Sequence, residues 1–401
     1  MNRPPTTDAT PEVTMHRTSD RPGRRGQRGQ IIVVAALTMI ALIGGVSLIL
    51  EGGNAYAHQR VAQNAADSVA NAGATVLAQR LGGGLQTDAD VVAATDAMAT
   101  ANHFDTYNAY YTNLAGGMLT PAGVVTTDPS LAARVGPADG DTTIPPGAQG
   151  VSVGGSQSFG TTFARVLGIT QFTASADATA VAGALTGGIV MPVVFPVSMA
   201  DCDGSGNTVV VDEPWRMSDP DPTDPTAHPI GQEYIVPLCK TGRASFMVLD
   251  LDPNKTCEEE VTDPSSIQFD DFPVDVATDN GNECGKKIAE AIEDAQLQGS
   301  IVMIPICDGQ CVTIGGGSHA FYHVIRIAAF YLDYLSDVNG GSNAACALTT
   351  SPTYGTSLVN IVGGNGSSSC MVGWFVRYVT SGPVGSGNLN NGEAVGVQLI
   401  R

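Results

Sequence analysis

The longest run of apolar side chains lies close to the N-terminus. Residues 31–50, IIVVAALTMIALIGGVSLIL, contain no charged side chain. Twenty residues of α-helix span about 30 Å, the thickness of the hydrocarbon core of a bilayer. The pattern therefore predicts a transmembrane helix over residues 30–50. Two other interpretations stay open: a buried core helix, and a secretory signal cleaved after Ala57 in the motif Ala55-Tyr56-Ala57.

Beyond Glu51 the pattern changes from uniformly apolar to amphipathic. Small apolar residues recur with a helical period as far as Leu77, and polar residues share the opposite face. The apolar face holds Val61, Ala62, Ala65, Ala66, Val69, Ala72, Gly73, Val76 and Leu77, and the polar face holds Arg60, Asn64, Asp67, Asn71 and Thr75. We expect the small side chains to allow close packing on another element. Gly82-Gly83-Gly84 is predicted to end this helix, and Thr87 to begin a second one that runs to about His103.

Further along the chain, alternating patterns predict strands. VSVGGS and FTASADATAVA flank TTFARVLGI, which predicts a strand–helix–strand unit within residues 151–182. Later strands are predicted at Val193–Val197, Val209–Val211, Phe246–Leu251, Ile301–Ile306, Tyr322–Tyr331, Val372–Val379 and the final AVGVQLI, with a helix over Lys286–Leu297. The predicted fold class is α+β. An N-terminal transmembrane helix continues into a long helix, packed on an antiparallel-sheet ectodomain with a disulfide-braced β-rich C-terminal part.

The charges divide the chain at the apolar segment. The whole chain carries 19 basic and 39 acidic side chains, a net charge of −20. Residues 1–30 hold six arginines and three acids, however, so the first 30 residues carry +3 and the rest −23. Because positive flanks stay on the cytoplasmic side, this asymmetry predicts a cytoplasmic N-terminus and an extracytoplasmic C-terminal part. The acidic surface argues against nucleic acid as the main partner.

These patterns predict four regions. They are a disordered cytoplasmic tail over residues 1–29, the transmembrane helix over 30–50, a helix plus α/β subdomain over 51–185, and a cysteine-containing β-rich extracytoplasmic domain over 186–401. The cell membrane is the predicted location, with a single pass.

The cysteines all lie far beyond the apolar segment. An even number confined to an exported region is typical of a disulfide framework. The eight are Cys202, Cys239, Cys257, Cys284, Cys307, Cys311, Cys346 and Cys370. Their connectivity stays open. Zinc is the alternative, although three residues separate Cys307 from Cys311 and no C-x2-C spacing occurs.

Motifs that carry chemistry are scarce. The segment from Asp201 to Asp212 has oxygen-bearing side chains at the spacing of a calcium loop, with Gly206 at its sixth position, but the same residue types are common in turns. The calcium candidates are Asp201, Asp203, Ser205, Asn207 and Asp212. His319 and His323 stand four apart in a segment predicted as strand, which favours separate roles over a metal site. No H-E-x-x-H, G-x-S-x-G or P-loop motif occurs, so we expect no catalytic residues, no cofactor and no enzyme activity.

An ordered set of residues surrounds the apolar segment. It comprises Arg28-Gly29-Gln30, Glu51-Gly52, Tyr56, Arg60 and Gln63-Asn64-Ala65-Ala66-Asp67. This set resembles the N-terminal region of TadE/TadG-like proteins of Flp (tight-adherence) pilus assembly. The segment TTFARVLGITQFTASADATAVA is similar to the element that closes the same region, and the two frame residues 28–182. The stretches IPICD and CMVGWFVRYVT resemble the extracellular bodies of long TadG-like proteins.

Two residues depart from the related patterns. The acid at the end of the span is usually Asp in the family and is Glu51 here. Processed type IV pilins carry Glu five residues after the cleaved Gly, and Val34 holds that position when Gln30 is counted as the first. We therefore expect no prepilin-peptidase cleavage between Gly29 and Gln30.

The resemblance implies a structural role. The protein would be a membrane-anchored, minor-pilin-like accessory component of Flp pilus assembly that supports surface attachment, with the membrane and other pilus-assembly or pseudopilin proteins as partners. The alternative is an anchored extracellular ligand-binding or adhesive domain that is unrelated to pili. Calcium is a candidate ligand of such a domain. Adhesive contacts could come from aromatic side chains, although core packing is predicted for Trp374. The aromatic candidates are Trp215, Trp374, Tyr107, Tyr110 and Tyr111.

Overall fold

A computed structural model covers the chain. It describes residues 27–136, 143–196, 233–238, 240–241, 245–246, 249–264, 266–269, 272–278, 290–307, 314, 321–335, 358–360, 369–376, 378–386 and 394–400. Several predictions lie outside these residues: the tail up to residue 26, the calcium candidates, the strand Val209–Val211, Trp215, His319, and Cys202, Cys239, Cys284, Cys311 and Cys346.

The chain folds as two compact units. The first comprises the chain up to Tyr56 together with Gly160–Phe172, and is called the helix–hairpin unit below. The second comprises Ala57–Phe159 and Thr173–Arg401, and is called the sheet unit. The predicted boundary at residue 185 stays a prediction. The sheet that contains residue 185 also takes strands from the last 25 residues of the chain.

The apolar segment and the amphipathic segment form one continuous helix. This helix, α1, spans Gln27–Leu81 and begins three residues before the predicted start. It is long and apolar enough to cross a membrane. Its most apolar 18 residues have a mean hydropathy of 2.6, and none of these residues is buried. The prediction of a buried core helix is therefore wrong for this segment, since a core helix buries its apolar side chains. An N-terminal signal sequence has the same length and composition and stays an alternative.

Two predicted helix boundaries are confirmed. α1 ends at Leu81, and Gly83 follows with φ 93°, a conformation that glycine adopts at little cost. The second helix, α2, spans Asp88–Ala101, and Thr87 precedes it. The Asp90 carboxylate accepts hydrogen bonds from the Thr87 backbone N–H at 2.7 Å and from the Thr87 hydroxyl at 2.8 Å. These bonds, the backbone one first, lower the pKa of Asp90.

The strands are numbered in chain order. They are β1 Thr106–Thr112, β2 Met118–Leu119, β3 Val125–Thr126, β4 Gly150–Gly160, β5 Gln171–Leu185, β6 Gly187–Ile189, β7 Phe195–Pro196, β8 Glu233–Leu238, β9 Lys240–Thr241, β10 Ser245–Phe246, β11 Ser266–Gln268, β12 Val274–Ala277, β13 Ile301–Cys307, β14 Phe321–Leu335, β15 Leu358–Asn360, β16 Ser369–Val376, β17 Val379–Ser381, β18 Val384–Gly385 and β19 Val395–Ile400. A short helix, α3, spans Glu259–Thr262, and residues 290–294 are also helical.

Within the described residues, eight strands form the first large sheet. Its order is β17-β19-β5-β4-β1-β2-β3, and β18 also pairs with β5. β1 and β4 pair antiparallel from Thr106 opposite Ser156 to Thr112 opposite Gly150. β19 pairs antiparallel with β5 and ends with Ile400 opposite Thr179. The first eight residues of β5 therefore extend beyond the end of β19.

The second large sheet has seven strands within the described residues. Its order is β15-β8-β16-β14-β13-β7, and β12 also pairs with β14. Its core contains an aromatic cluster, in which Phe195 and Phe330 pack edge to face on Phe375 with centroid distances of 4.9 and 5.1 Å. Trp374 is buried, which confirms its predicted place in the core. The result is a mixed α+β fold with mainly antiparallel sheets, as predicted.

Some elements differ from the prediction. The predicted helix at TTFARVLGI is only a 3-10 turn, Ala164–Leu167, because Gly168 ends it with φ 83°. Of the strand predicted over Phe246–Leu251, Phe246 lies in β10 and Leu249 forms an isolated bridge, and residues 247–248 lie outside the described part. β1, β8, β12 and β15 were not predicted. The TYNAYYT sequence of β1 lacks a regular alternation of apolar and polar residues, because its tyrosines lie on both faces of the strand.

Candidate functional site on the N-terminal helix

All residues of the family motif lie on α1. Gly29 and Gln30 lie in its first turn, and their side chains are outside the described part. Glu51 and Gly52 follow the apolar segment. The remaining motif residues, Tyr56, Gln63, Asn64 and Asp67, occupy the next four turns. The motif is therefore one stretch of a single helix. Its structural role follows from the groups that its side chains contact elsewhere in the chain.

Glu51 binds the turn that joins β4 to β5, residues 161–170, which is called the hairpin tip below and lies within the helix–hairpin unit. Its side chain is only 9% exposed. One carboxylate oxygen accepts a hydrogen bond from the Thr162 backbone N–H at 3.1 Å, and the other from the Phe163 N–H at 3.2 Å. These two amides lie just before the 3-10 turn, at its N-terminal end, where backbone N–H groups lack partners within the turn. A carboxylate satisfies both through charge-assisted bonds, which accounts for an acid at this position.

The hairpin tip has its own internal bonds. The Thr161 N–H donates to the Thr170 carbonyl at 3.1 Å, and the Thr161 hydroxyl donates to the Ile169 carbonyl. The Ile169 N–H donates to the Ala164 carbonyl at 3.1 Å. The tip is thus a closed turn, and Glu51 holds it from the helix side.

Two glutamines bind the open edge of β5 within the sheet unit. The Gln59 side-chain amide donates to the Ser175 carbonyl at 2.6 Å, and that of Gln63 donates to the Asp177 carbonyl at 3.0 Å. Backbone groups alternate along a strand, and the Leu185 N–H of β5 donates to the Ala394 carbonyl just ahead of β19. The carbonyls of Ser175 and Asp177 therefore face the β19 edge, beyond the point where β19 ends. The glutamines therefore bind this edge of β5 where, among the described residues, no strand pairs with it.

Asp67 fixes the orientation of Gln63. The Gln63 side-chain amide also donates to the Asp67 carboxylate at 2.9 Å, one helical turn along α1. Gln63 and Asp67 were identified from the sequence, and Gln59 was missed. The i, i+4 spacing of Gln59, Gln63 and Asp67 on one helix face was the signal that could have found it. Asn64 is exposed.

The apolar face of α1 is buried at most of the predicted positions, but Val61 is exposed and Ala72 and Val76 are only partly buried. Val61 is 45% exposed, so its predicted place on the buried face is wrong. At Gly73 the helix comes very close to β4 and α2, since an added Cβ would lie 2.9 Å from Val151 Cγ2 and 3.1 Å from Thr95 Cγ2. The fully or almost fully buried apolar residues are Ala62, Ala65, Ala66, Val69, Ala70, Ala74, Leu77 and Ala78. Small side chains therefore serve close packing, as expected.

Two of the tyrosine candidates have structural partners in the sheet unit. Tyr111 is buried, and its hydroxyl donates to the Asp88 carboxylate at 2.6 Å. Burial, and then this bond, raises the pKa of Tyr111. The Tyr107 hydroxyl donates to the Asp96 carboxylate, and burial followed by this bond raises the pKa of Tyr107 to about 12. Tyr111 is therefore inaccessible for adhesion. The ring of Tyr110 lies 5.7 Å from the Arg134 guanidinium carbon.

Metal-ligating residues do not converge in the described part of the chain. Among those residues, no group of three His, Cys, Asp or Glu side chains is placed to hold a metal ion. His323 lies on β14 as predicted, with Nδ1 2.8 Å from an Asp275 carboxylate oxygen. Cys257 and Cys307 are both disulfide-bonded. The framework of eight cysteines and its connectivity stay predictions.

Comparison with known proteins agrees with the motif. Residues 29–76 match the Tad family model, described as "Putative Flp pilus-assembly TadE/G-like". The match covers the apolar segment, Glu51 and the Gln63–Asp67 motif, and confirms the resemblance for the N-terminal region. No curated protein and no solved structure shows significant similarity to the chain. The resemblance of the later segments to TadG-like bodies stays a prediction.

Proposed function

We propose that this protein is a membrane-anchored structural component of Flp-type pilus assembly. The observation that carries the proposal is the TadE/G-like match over residues 29–76, which contains both the apolar segment and the motif that holds the hairpin and the β5 edge. The role is minor-pilin-like and accessory, supports surface attachment, and involves no catalysis.

The apolar segment supports the anchoring part of the proposal. Its bulky side chains, from Ile31 to Leu50, are exposed to the surroundings of the protein. A monomeric soluble protein rarely exposes a contiguous apolar surface of this size, because its contact with water is unfavourable. A bilayer removes that cost. The arginine-rich flank before the segment and the acidic region after it support a cytoplasmic N-terminus and an extracytoplasmic sheet unit.

Small residues within the same segment support partners inside the membrane. Helices associate in lipid where small side chains let their backbones approach. An added Cβ at Gly44 or Gly45 would meet no atom within 4 Å, so this stretch is open to a neighbouring helix. Ala35, Ala36, Ala41 and Ser47 are further small residues of this stretch. Other pilus-assembly or pseudopilin proteins are the partners proposed here.

A deletion strain tests the proposed function. Removing the gene is expected to abolish or reduce pili counted by electron microscopy and to lower attachment to a surface, and the wild-type chain restores both. A complementing chain with Glu51→Ala, present in membranes at the wild-type level, is expected to restore them only in part. Normal pili and normal attachment in the deletion strain would contradict the proposal and favour an anchored domain unrelated to pili.

A further inference from the structure

The hairpin tip lies beside the residue that ends the apolar segment. Leu50 is the last apolar residue of the segment, and Glu51 binds the amides of Thr162 and Phe163 directly. Both belong to the same compact unit, which joins the start of the chain to Gly160–Phe172. The position of the tip along the helix axis is therefore set at the end of the predicted membrane span.

The tip exposes apolar and basic side chains. Phe163 is 37% exposed and Ile169 is 43% exposed, although both belong to a closed turn of only ten residues. Arg165, between them in sequence, is also exposed. On the helix itself Tyr56, five residues after Glu51, is 64% exposed. Two aromatic rings, an aliphatic side chain and an arginine are thus exposed in the unit that contains the end of the span.

This composition fits the boundary between lipid headgroups and acyl chains. Tyrosine concentrates at that boundary, because its ring remains in the apolar region while its hydroxyl reaches water, and phenylalanine is common on the apolar side of elements that lie at the membrane surface. Arginine and lysine close to a membrane surface are attracted to anionic headgroups. A water-exposed turn gains nothing from an exposed Phe163 and Ile169, whereas a turn at the membrane surface does.

We infer that the hairpin tip, residues 161–170, is a second membrane-contacting element of this protein. Phe163 and Ile169 enter the headgroup–acyl boundary of the bilayer that α1 crosses, and Arg165 binds lipid phosphates. Glu51 holds the tip at that depth through its two backbone bonds. This inference rests on the proposed membrane anchoring, and it adds a lipid contact that the family match over residues 29–76 does not include.

Depth-dependent fluorescence quenching tests the inference on the full chain in nanodiscs. Phe163→Trp places an indole at the tip, and the signal of the parent chain, which contains Trp215 and Trp374, is subtracted. Ile43→Trp reports on the apolar segment. Val124→Trp, at a 62% exposed position in the sheet unit, serves as the reference without an assigned lipid contact. The lipids carry bromine either near the headgroup or deep in the acyl chains.

The expected pattern distinguishes the two proposals. Shallow bromines should quench the Phe163→Trp indole about twofold more than the Val124→Trp indole, since interfacial side chains lie 5–10 Å below the headgroup surface. Deep bromines should quench the Ile43→Trp indole. Deep quenching of Ile43→Trp without shallow quenching of Phe163→Trp would overturn the hairpin contact and leave the anchor intact. Absence of quenching at both positions would overturn the anchor itself.

A charge variant tests the assignment of Arg165. Arg165→Glu in the Phe163→Trp chain is expected to reduce shallow quenching in nanodiscs that contain phosphatidylglycerol. The same variant should have little effect in nanodiscs of phosphatidylcholine alone, because the attraction depends on anionic lipid. Equal quenching before and after the charge reversal in anionic nanodiscs would overturn the binding of Arg165 to lipid phosphates.

Discussion

Two stretches of one helix, residues 31–50 and 62–78 of α1, solve opposite packing problems. The first is rich in isoleucine, leucine and valine, and these side chains are exposed. The second is rich in alanine, and its buried residues have almost no exposed surface. Both are apolar, so hydrophobicity does not separate them. Side-chain size does: the buried stretch approaches a sheet and a second helix closely, and the exposed stretch has no such partner in the described part of the chain.

The difference shows how the environment selects apolar residues. A protein interior is packed as densely as an organic crystal, so the volume of each side chain matters there. A lipid environment accepts any apolar side chain and rejects charge instead. Variants that change charge should therefore affect the first stretch most, and variants that change volume should affect the second.

Charge in the exposed stretch is expected to have the largest effect. Each arginine near the centre of a membrane helix costs about 2.5–3.5 kcal/mol on insertion scales, so Ile40→Arg with Ile43→Arg costs about 6 kcal/mol. The double variant should disappear from carbonate-washed membranes, whereas Ile40→Leu with Ile43→Leu should remain there. Immunoblots of the membrane and soluble fractions measure this. Full retention of the arginine variant in the membrane would argue that the stretch does not lie in lipid.

Volume in the buried stretch is expected to have the next largest effect. Gly73→Leu forces a side chain against Val151 and Thr95, and overpacking of this kind costs about 1–3 kcal/mol or more. Gly44→Leu is the matched control, since an added Cβ there meets no atom within 4 Å. Thermal unfolding of the two variants in detergent should lower the Tm only for Gly73→Leu. Equal Tm values would contradict the claim that side-chain volume matters more in the buried stretch than in the exposed one.

Glu51 lies between the two stretches, and its loss is expected to have a moderate effect. Glu51→Ala leaves the amides of Thr162 and Phe163 without their acceptor, which costs about 1–3 kcal/mol when the groups stay buried. Amide hydrogen exchange should accelerate at these two residues. Glu51→Gln keeps one acceptor oxygen and should fall between the wild type and Glu51→Ala. Unchanged exchange in Glu51→Ala would contradict the role of this carboxylate.

Alkaline pH is expected to have the smallest effect on stability. It should act through Tyr107, which lies in the sheet unit and not in the exposed stretch of α1. In the unfolded chain a tyrosine ionises near pH 10, whereas Tyr107 keeps its proton in the folded protein up to about pH 12. The folded state is therefore favoured below pH 10, and this contribution is lost between pH 10 and pH 12. Tyr107→Phe should flatten the pH dependence of urea unfolding in that window. An unchanged slope would show that Tyr107 does not contribute.

Local signals in the sequence predicted α1 and its boundaries well. The glycine triplet that ends α1 and the Thr87–Asp90 cap of α2 depend on neighbouring residues, so a short window contains the whole interaction. The length of the apolar segment was equally clear. Glu51 could be selected from the motif, but its partners Thr162 and Phe163 lie more than 110 residues away.

Interactions set by distant strands could not be predicted. The role of Gln59 and Gln63 depends on where β19 ends, opposite Thr179, and nothing near the glutamines encodes that end. The pairing of β18 and β19 with β5 likewise joins residues about 200 positions apart. β1 was missed because its tyrosines use both faces of the strand, one of them buried against Asp88.

The fate of residues 31–50 tests the central claim most directly. Carbonate-washed membranes and the soluble fraction are separated, and the mass of the chain in each is determined. The account predicts a membrane-bound chain that retains the apolar stretch. A soluble chain beginning at His58 would contradict it, because the stretch would then be a removed signal rather than the anchor.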